Sequence, residues 1–136
     1  RPSYSEEESR AHECVASICE ALGLQIHRDP AGNLFARLPG RKRSLPAVHI
    51  GSHLDTVSQG GAYDGTVGVA AALALAAWFS KRGHQPQADM IVTVTRAEES
   101  VWFPVSYAGS RMALGRKPHR TKLGIFCHML HTLTKH

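Results

Sequence analysis

The chain has 136 residues and a mass of 14.8 kDa, enough for one domain whose core needs no disulfide staples. Hydrophobic residues at 43% and charged residues at 20% exclude a disordered chain, and the longest apolar run, VGVAAALALAAWF at 67–79, is too short and alanine-rich to span a bilayer. The net charge of +5 is not spread over the chain: residues 1–115 balance eleven Lys/Arg against eleven Asp/Glu, and the excess is Arg116, Lys117, Arg120, Lys122 and Lys135. A basic tail of that kind argues against a nucleic-acid-binding surface on the fold. Three cysteines (Cys14, Cys19 and Cys127) make no disulfide framework, and no signal peptide opens the chain. The expectation is a reduced, cytoplasmic protein with no membrane contact. Arg1 in place of an initiator methionine reads as a sign of residues missing upstream.

SEEESRAHECVASICEALG at 5–23 has the pattern of an amphipathic helix. Ser5 and Glu8 match a capping box, Ala11, Val15, Ile18, Cys19 and Leu22 recur at helical spacing, and Gly23 suits the stop. Residues 24–29 and 33–40 alternate like strands around DPAGN and predict a hairpin. RKRSLP is a solvated connector. PAVHIGSHLD then predicts a short buried strand, 65–82 a helix, and DMIVTVT at 89–95 a second strand, with Gly83 and Pro86 breaking the chain between the last two. Strand, helix and strand of these lengths form a right-handed crossover with parallel strands. A further helix begins within SYAGSRMALG at 106–115. The expected fold class is α/β, with a mainly parallel sheet and helices on both faces in three layers.

Two stretches carry chemistry: GSHLDTVSQGGAYDG at 51–65 and RAEES at 96–100. In a parallel crossover both strands end at the same sheet edge, where open α/β folds place their sites. His53 and Asp55 end the first strand, Glu98 and Glu99 follow the second, and the glycine-rich loop delivers Asp64 to the same edge. Each residue has a plainer reading: Asp64 as a helix N-cap, His53 as an ordinary buried histidine, the glutamates as a solvated pair past a strand end. Converging carboxylates nevertheless repel unless a cation compensates them. Imidazole with carboxylates suits zinc, and also manganese, cobalt or nickel.

The ordered set GSHLDTV, GG-x-YDG-x2-GV, AEES-x-x-F and GSRMALG resembles the M20 metallopeptidase clan. Within it the chain is most similar to the amidase branch of N-carbamoyl-L-amino-acid hydrolases, allantoate amidohydrolases, ureidoglycolate hydrolases and related hydantoinase/carbamoylase enzymes. The resemblance covers about residues 4–115, the N-terminal part of that branch's catalytic domain, and leaves 116–136 as a divergent basic tail. It implies two divalent metal ions, zinc or manganese, cobalt or nickel. His53 and Glu99 would each ligate one ion and Asp64 would bridge them. Asp55 would hold the His53 ring, and Glu98 would be the general base that takes a proton from the attacking water. Adjacent glutamates past a strand end can point differently, one to the ion and one to the water. The implied reaction is metal-dependent hydrolysis of a C–N bond in a small linear amide or ureido compound, such as an N-carbamoyl-L-amino acid or allantoate. No residue is assigned to substrate binding.

Two departures bear on this. Many members of the branch carry arginine before the phenylalanine, where Trp102 precedes Phe103 here. The family pattern also continues for about three hundred residues more, with a lid domain that dimerises, grips the substrate and is followed by a histidine completing the ligand set. The expectation is therefore a truncated chain. His119, His128, His131 and His136 lie in the tail, where Leu123, Phe126, Leu130 and Leu133 repeat at helical spacing; a basic amphipathic helix, or a disordered or unrelated extension, is favoured there over further metal ligands. Competing readings are a non-catalytic metal-binding remnant, an M20 aminoacylase or peptidase, and a binding module using the basic tail.

Overall fold

The computed structural model describes residues 1–102 and 105–116. The predicted tail helix, the four tail histidines and Phe103 lie outside the described residues. Seven elements follow in order: α1 (Glu6–Ala21), β1 (Gln25–Arg28), β2 (Leu34–Leu38), β3 (Val48–His53), α2 (Thr66–Lys81), β4 (Met90–Thr95) and α3 (Ala108–Ala113). Among the described residues, no helix is long and apolar enough to cross a membrane.

Helix α1 starts where the sequence predicts. Ser5 is its N-cap and accepts from the Glu8 N–H, with Glu6, Glu7 and Glu8 in the first turn complementing the helix dipole. The reciprocal half of the capping box is diverted. The Glu8 carboxylate accepts from the Tyr4 N–H and from Arg96 Nη1, because Glu8 is fully buried and Arg96 supplies the opposite charge. Gly23 ends the helix at φ 77, its N–H reaching Glu20 O at 2.9 Å while Leu24 N–H reaches Cys19 O at 3.0 Å. That pair of bonds is a Schellman motif, with Cys19 and Leu24 both in the core.

The sheet has the order β1-β2-β4-β3. The α/β class stands, but the mainly parallel sheet is corrected: only β3 and β4 pair parallel, whereas β1–β2 and β2–β4 are antiparallel. The short DPAGN turn can only return the chain antiparallel, so the single α2 crossover is the sole source of parallel pairing among the described residues. Of the helices expected on both faces, the two long ones among the described residues share one face. Leu34 and Ala36 stand across from Val94 and Val92 on one face, and that face packs against Val15, Ala16 and Cys19 of α1 and Val69, Ala72 and Ala76 of α2. Both long helices therefore lie on one side. On the other face, Gln25, His27, Phe35, Arg37, His49 and Ile91 line a shallow depression of about 460 Å³ that no described helix fills.

His12 lies fully buried one turn after Glu8. Among the described residues neither ring nitrogen has a hydrogen-bond partner, and Nε2 is 3.7 Å from Glu8 Oε1, too long for a hydrogen bond. Burial pushes its pKa below the ordinary value, a direction reinforced by the Arg96 charge although the Glu8 carboxylate opposes it. A histidine held neutral in the fold binds fewer protons than the unfolded chain. Its contribution is thus complete above the unfolded pKa of ~6.5 and is lost as pH falls toward the depressed folded value. Urea unfolding from pH 7.5 down to 5 should show the protein losing stability relative to a His12→Leu variant, with a slope of up to about 1.4 kcal/mol per pH unit. Parallel pH profiles for the two proteins would contradict a neutral buried His12.

Candidate metal centre

Parallel pairing brings the ends of β3 and β4 to one edge, with His53 opposite Thr95 as the last pair. Beyond Thr95 the chain turns through Ala97, which is buried and has φ 50, a left-handed conformation that disfavours alanine by roughly 1–2 kcal/mol. The entry to α3 holds this turn: Ala108 N–H donates to Ala97 O at 3.0 Å and Tyr107 N–H to Glu98 O at 3.2 Å. The turn aims the N–H groups of Glu98 and Glu99 at the Asp55 carboxylate, 3.2 and 3.0 Å away.

The glycine-rich loop returns to this edge from the other side. Gly65 has φ 69, and a Cβ there would stand 2.4 Å from His53 O and 2.8 Å from the His53 ring, so a glycine is required for the loop to pass. Gly65 is also the N-cap of α2, with no side-chain cap bond. The helix-cap reading of Asp64 therefore fails, and its carboxylate is turned to the site, with Oδ1 3.8 Å from His53 Nε2. Glu98 Oε2 lies 3.6 Å from the same nitrogen.

The tautomer follows from the other side of the ring. His53 Nδ1 is 2.8 Å from the Asp55 main-chain carbonyl, which can only accept, so Nδ1 carries a hydrogen and Nε2 faces the carboxylates. The ring is thus held chiefly by the backbone of Asp55, with its Oδ1 farther away at 3.4 Å. The Asp55 side chain, desolvation of the ring notwithstanding, raises the His53 pKa to about 9, helped by the Asp55 backbone and the Glu98 charge. Burial acts to raise the Asp55 pKa, but the His53 ring 3.4 Å away and hydrogen bonds from Ser3 and the N–H groups of Glu99 and Glu98 outweigh it and hold the carboxyl at about 2. Glu99 is shifted upward by burial and then by its closeness to Asp64 and Glu98. Crowded carboxylates around an imidazole nitrogen form a donor set that fits a divalent cation.

All five residues singled out in the sequence, His53, Asp55, Asp64, Glu98 and Glu99, meet here. Among the described residues, His53, Glu98 and Glu99 form a group of potential ligands with atoms all within 4.8 Å of one another. Glu98 therefore stands as close to the histidine as the residues assigned as ligands do. Residues that the sequence did not single out brace the site: Ser3 Oγ donates to Asp55 at 2.5 Å, and Trp102 Nε1 donates to Thr56 O at 2.9 Å. In sequence Trp102 stands out only as a departure from a family pattern, and nothing in the spacing of Ser3 marks it.

The model of peptidase family M28 matches residues 33–129. The motifs resembled the M20 clan, and the relatives are indeed of the amidase kind that those motifs indicate. A ureidoglycolate hydrolase of Oryza sativa subsp. japonica is 37% identical over 115 residues, covering 85% of this chain and 24% of the relative. An N-carbamoyl-L-amino acid amidohydrolase of Geobacillus stearothermophilus is 36% identical over 118 residues, covering 87% of this chain and 29% of the relative. Among solved structures, a hydantoinase/carbamoylase family amidase from Burkholderia ambifaria superposes with a TM-score of 0.82 at 31% identity, over 87% of this chain and 29% of that one. The chain spans about a quarter of the length of the curated relatives it matches.

Proposed function

The chain belongs to peptidase family M28, and from that premise we infer that the cluster at the β3–β4 edge holds divalent metal and serves hydrolysis of a C–N bond in a small amide or ureido compound. The observation that carries this reading is His53 Nε2 facing Asp64 at 3.8 Å and Glu98 at 3.6 Å, with Glu99 beside them. The names of the relatives support ureido and N-carbamoyl substrates, and metal dependence suits the donor set. We assign His53, Asp64 and Glu99 as ligands of two ions, zinc or manganese, cobalt or nickel.

When bound, such ions polarise a carbonyl and lower the pKa of water. The chain's own residues do the rest. Asp55 keeps Nδ1–H of His53 engaged, so that Nε2 stays turned inward. Glu98 takes a proton from the attacking water on its carboxylate oxygen and passes it to the leaving nitrogen. Asp55, which sits behind the ring and touches no substrate in this scheme, is a positioning residue.

A second reading arises from the tight His53, Glu98 and Glu99 group, in which Glu98 is a ligand and not the base. Metal titration combined with ammonia release from N-carbamoyl-L-amino acids and allantoate separates the two. With Glu98 as base, Glu98→Gln keeps metal affinity within about tenfold and loses turnover by ~10²–10⁴-fold. Loss of metal affinity in that variant would assign Glu98 as a ligand. Metal binding with no turnover in either protein would make the chain a non-catalytic metal-binding domain.

A further inference from the structure

We propose that Ser3 is a positioning residue for this site, acting through Asp55. Resting on the metal-centre reading above, the proposal starts from Asp55, which is fully buried and can take its hydrogen bonds only from the protein. Its Oδ1 accepts from Glu98 N–H at 3.2 Å and faces His53 Nδ1 at 3.4 Å. Its Oδ2 accepts from Glu99 N–H at 3.0 Å and from Ser3 Oγ at 2.5 Å. One carboxylate thus ties the histidine at the end of β3 to both glutamates beyond β4, and Ser3 is its single partner from outside those two motifs among the described residues.

The Ser3 hydroxyl is delivered by a pinned segment. Thr56 N–H donates to Arg1 O at 2.9 Å, Arg1 Nε donates to Leu54 O at 2.6 Å, and Tyr4 Oη donates to Ala31 O at 3.1 Å. Residues 1–4 therefore run as a strap across 54–56, and Ser3, only 8% exposed, is placed over the carboxylate. Removing the hydroxyl leaves Oδ2 with one donor in a place closed to water, and a buried acceptor left short is costly. The carboxylate rotates to recover a partner, and the bonds from the Glu98 and Glu99 N–H groups follow it, as does the 3.4 Å contact with the His53 ring. Threonine supplies the same hydroxyl and should preserve the geometry.

Zinc titration calorimetry and thermal unfolding of the 136-residue chain test this with Ser3→Ala, Ser3→Thr and Ser80→Ala. Ser80→Ala is the control for stability alone, since Ser80 Oγ donates to Leu22 O at 2.9 Å and touches nothing at the site. Ser3→Ala should weaken zinc binding at least about tenfold, as losing the partner of a ligand's support does, while Ser3→Thr and Ser80→Ala stay within about twofold. Unchanged affinity in Ser3→Ala, or an equal loss in Ser80→Ala, would overturn the proposal. If the parent chain takes up no zinc, the metal reading fails by itself. The Ser3 role is then decided by the amide resonances of Glu98 and Glu99, which should shift in Ser3→Ala and return in Ser3→Thr; unmoved resonances would refute it.

Discussion

Arg96→Met should lower the unfolding free energy by about 3–5 kcal/mol, the range for removing one partner of a buried ion pair. Arg96 Nη1 donates to Glu8 Oε2 at 2.9 Å; Glu8 is fully buried and Arg96 only 9% exposed. The guanidinium also lies over the Tyr4 ring at 5.8 Å and donates to Ser9 Oγ at 3.1 Å. Without it the Glu8 carboxylate keeps the Tyr4 N–H and a neutral histidine at 3.7 Å, neither of which balances a buried charge. Removing both charges should restore most of the loss, because the penalty lies in the uncompensated ion more than in the missing contact. Urea denaturation of Arg96→Met, Glu8→Leu and the double variant decides it. A loss below about 1 kcal/mol in Arg96→Met would place the pair in the weak, solvent-screened class.

Asp64→Asn should weaken divalent-metal binding by more than about 100-fold, beyond the ~10–100-fold typical when the residue supporting a ligand is lost. Asp64 points its carboxylate at His53 Nε2 across 3.8 Å, so a metal there gains its charge directly, and a neutral amide oxygen gives little in return. Asp55→Asn should fall within the smaller range. Its main-chain carbonyl still holds His53 Nδ1 at 2.8 Å, while the amide NH2 would face the N–H groups of Glu98 or Glu99. Calorimetric titration with zinc measures both. Equal losses, or a larger one for Asp55→Asn, would mean that Asp64 is not a direct ligand.

The elements were legible because their signals are local. Period and caps located α1, the DPAGN turn located the β1–β2 hairpin, and the apolar runs flanking a helix located the β3–α2–β4 crossover. What local signals cannot carry is which strands become neighbours. A crossover alone suggests a whole parallel sheet, yet β2 slots antiparallel beside β4, and both long helices share one face. The site shows the same division. His53, Asp55, Asp64, Glu98 and Glu99 were legible because histidine and carboxylates at two strand ends must share one edge. Ser3 and Arg96 were not, since a serine and an arginine are unremarkable in sequence and act through partners 52 and 88 residues away. Asp64 was open to a helix-cap reading until Gly65 proved to occupy the cap.

If the β3–β4 edge is a metal centre, it is built on His53. Titrating zinc into the protein and into His53→Ala, with unfolding curves confirming that both are folded, tests it most directly. Saturable binding is expected for the parent chain and a loss of at least about 100-fold for the variant, since the imidazole is the one nitrogen donor of the His53, Glu98 and Glu99 group. Equal affinities for the two proteins, or no binding by the folded parent, would contradict it.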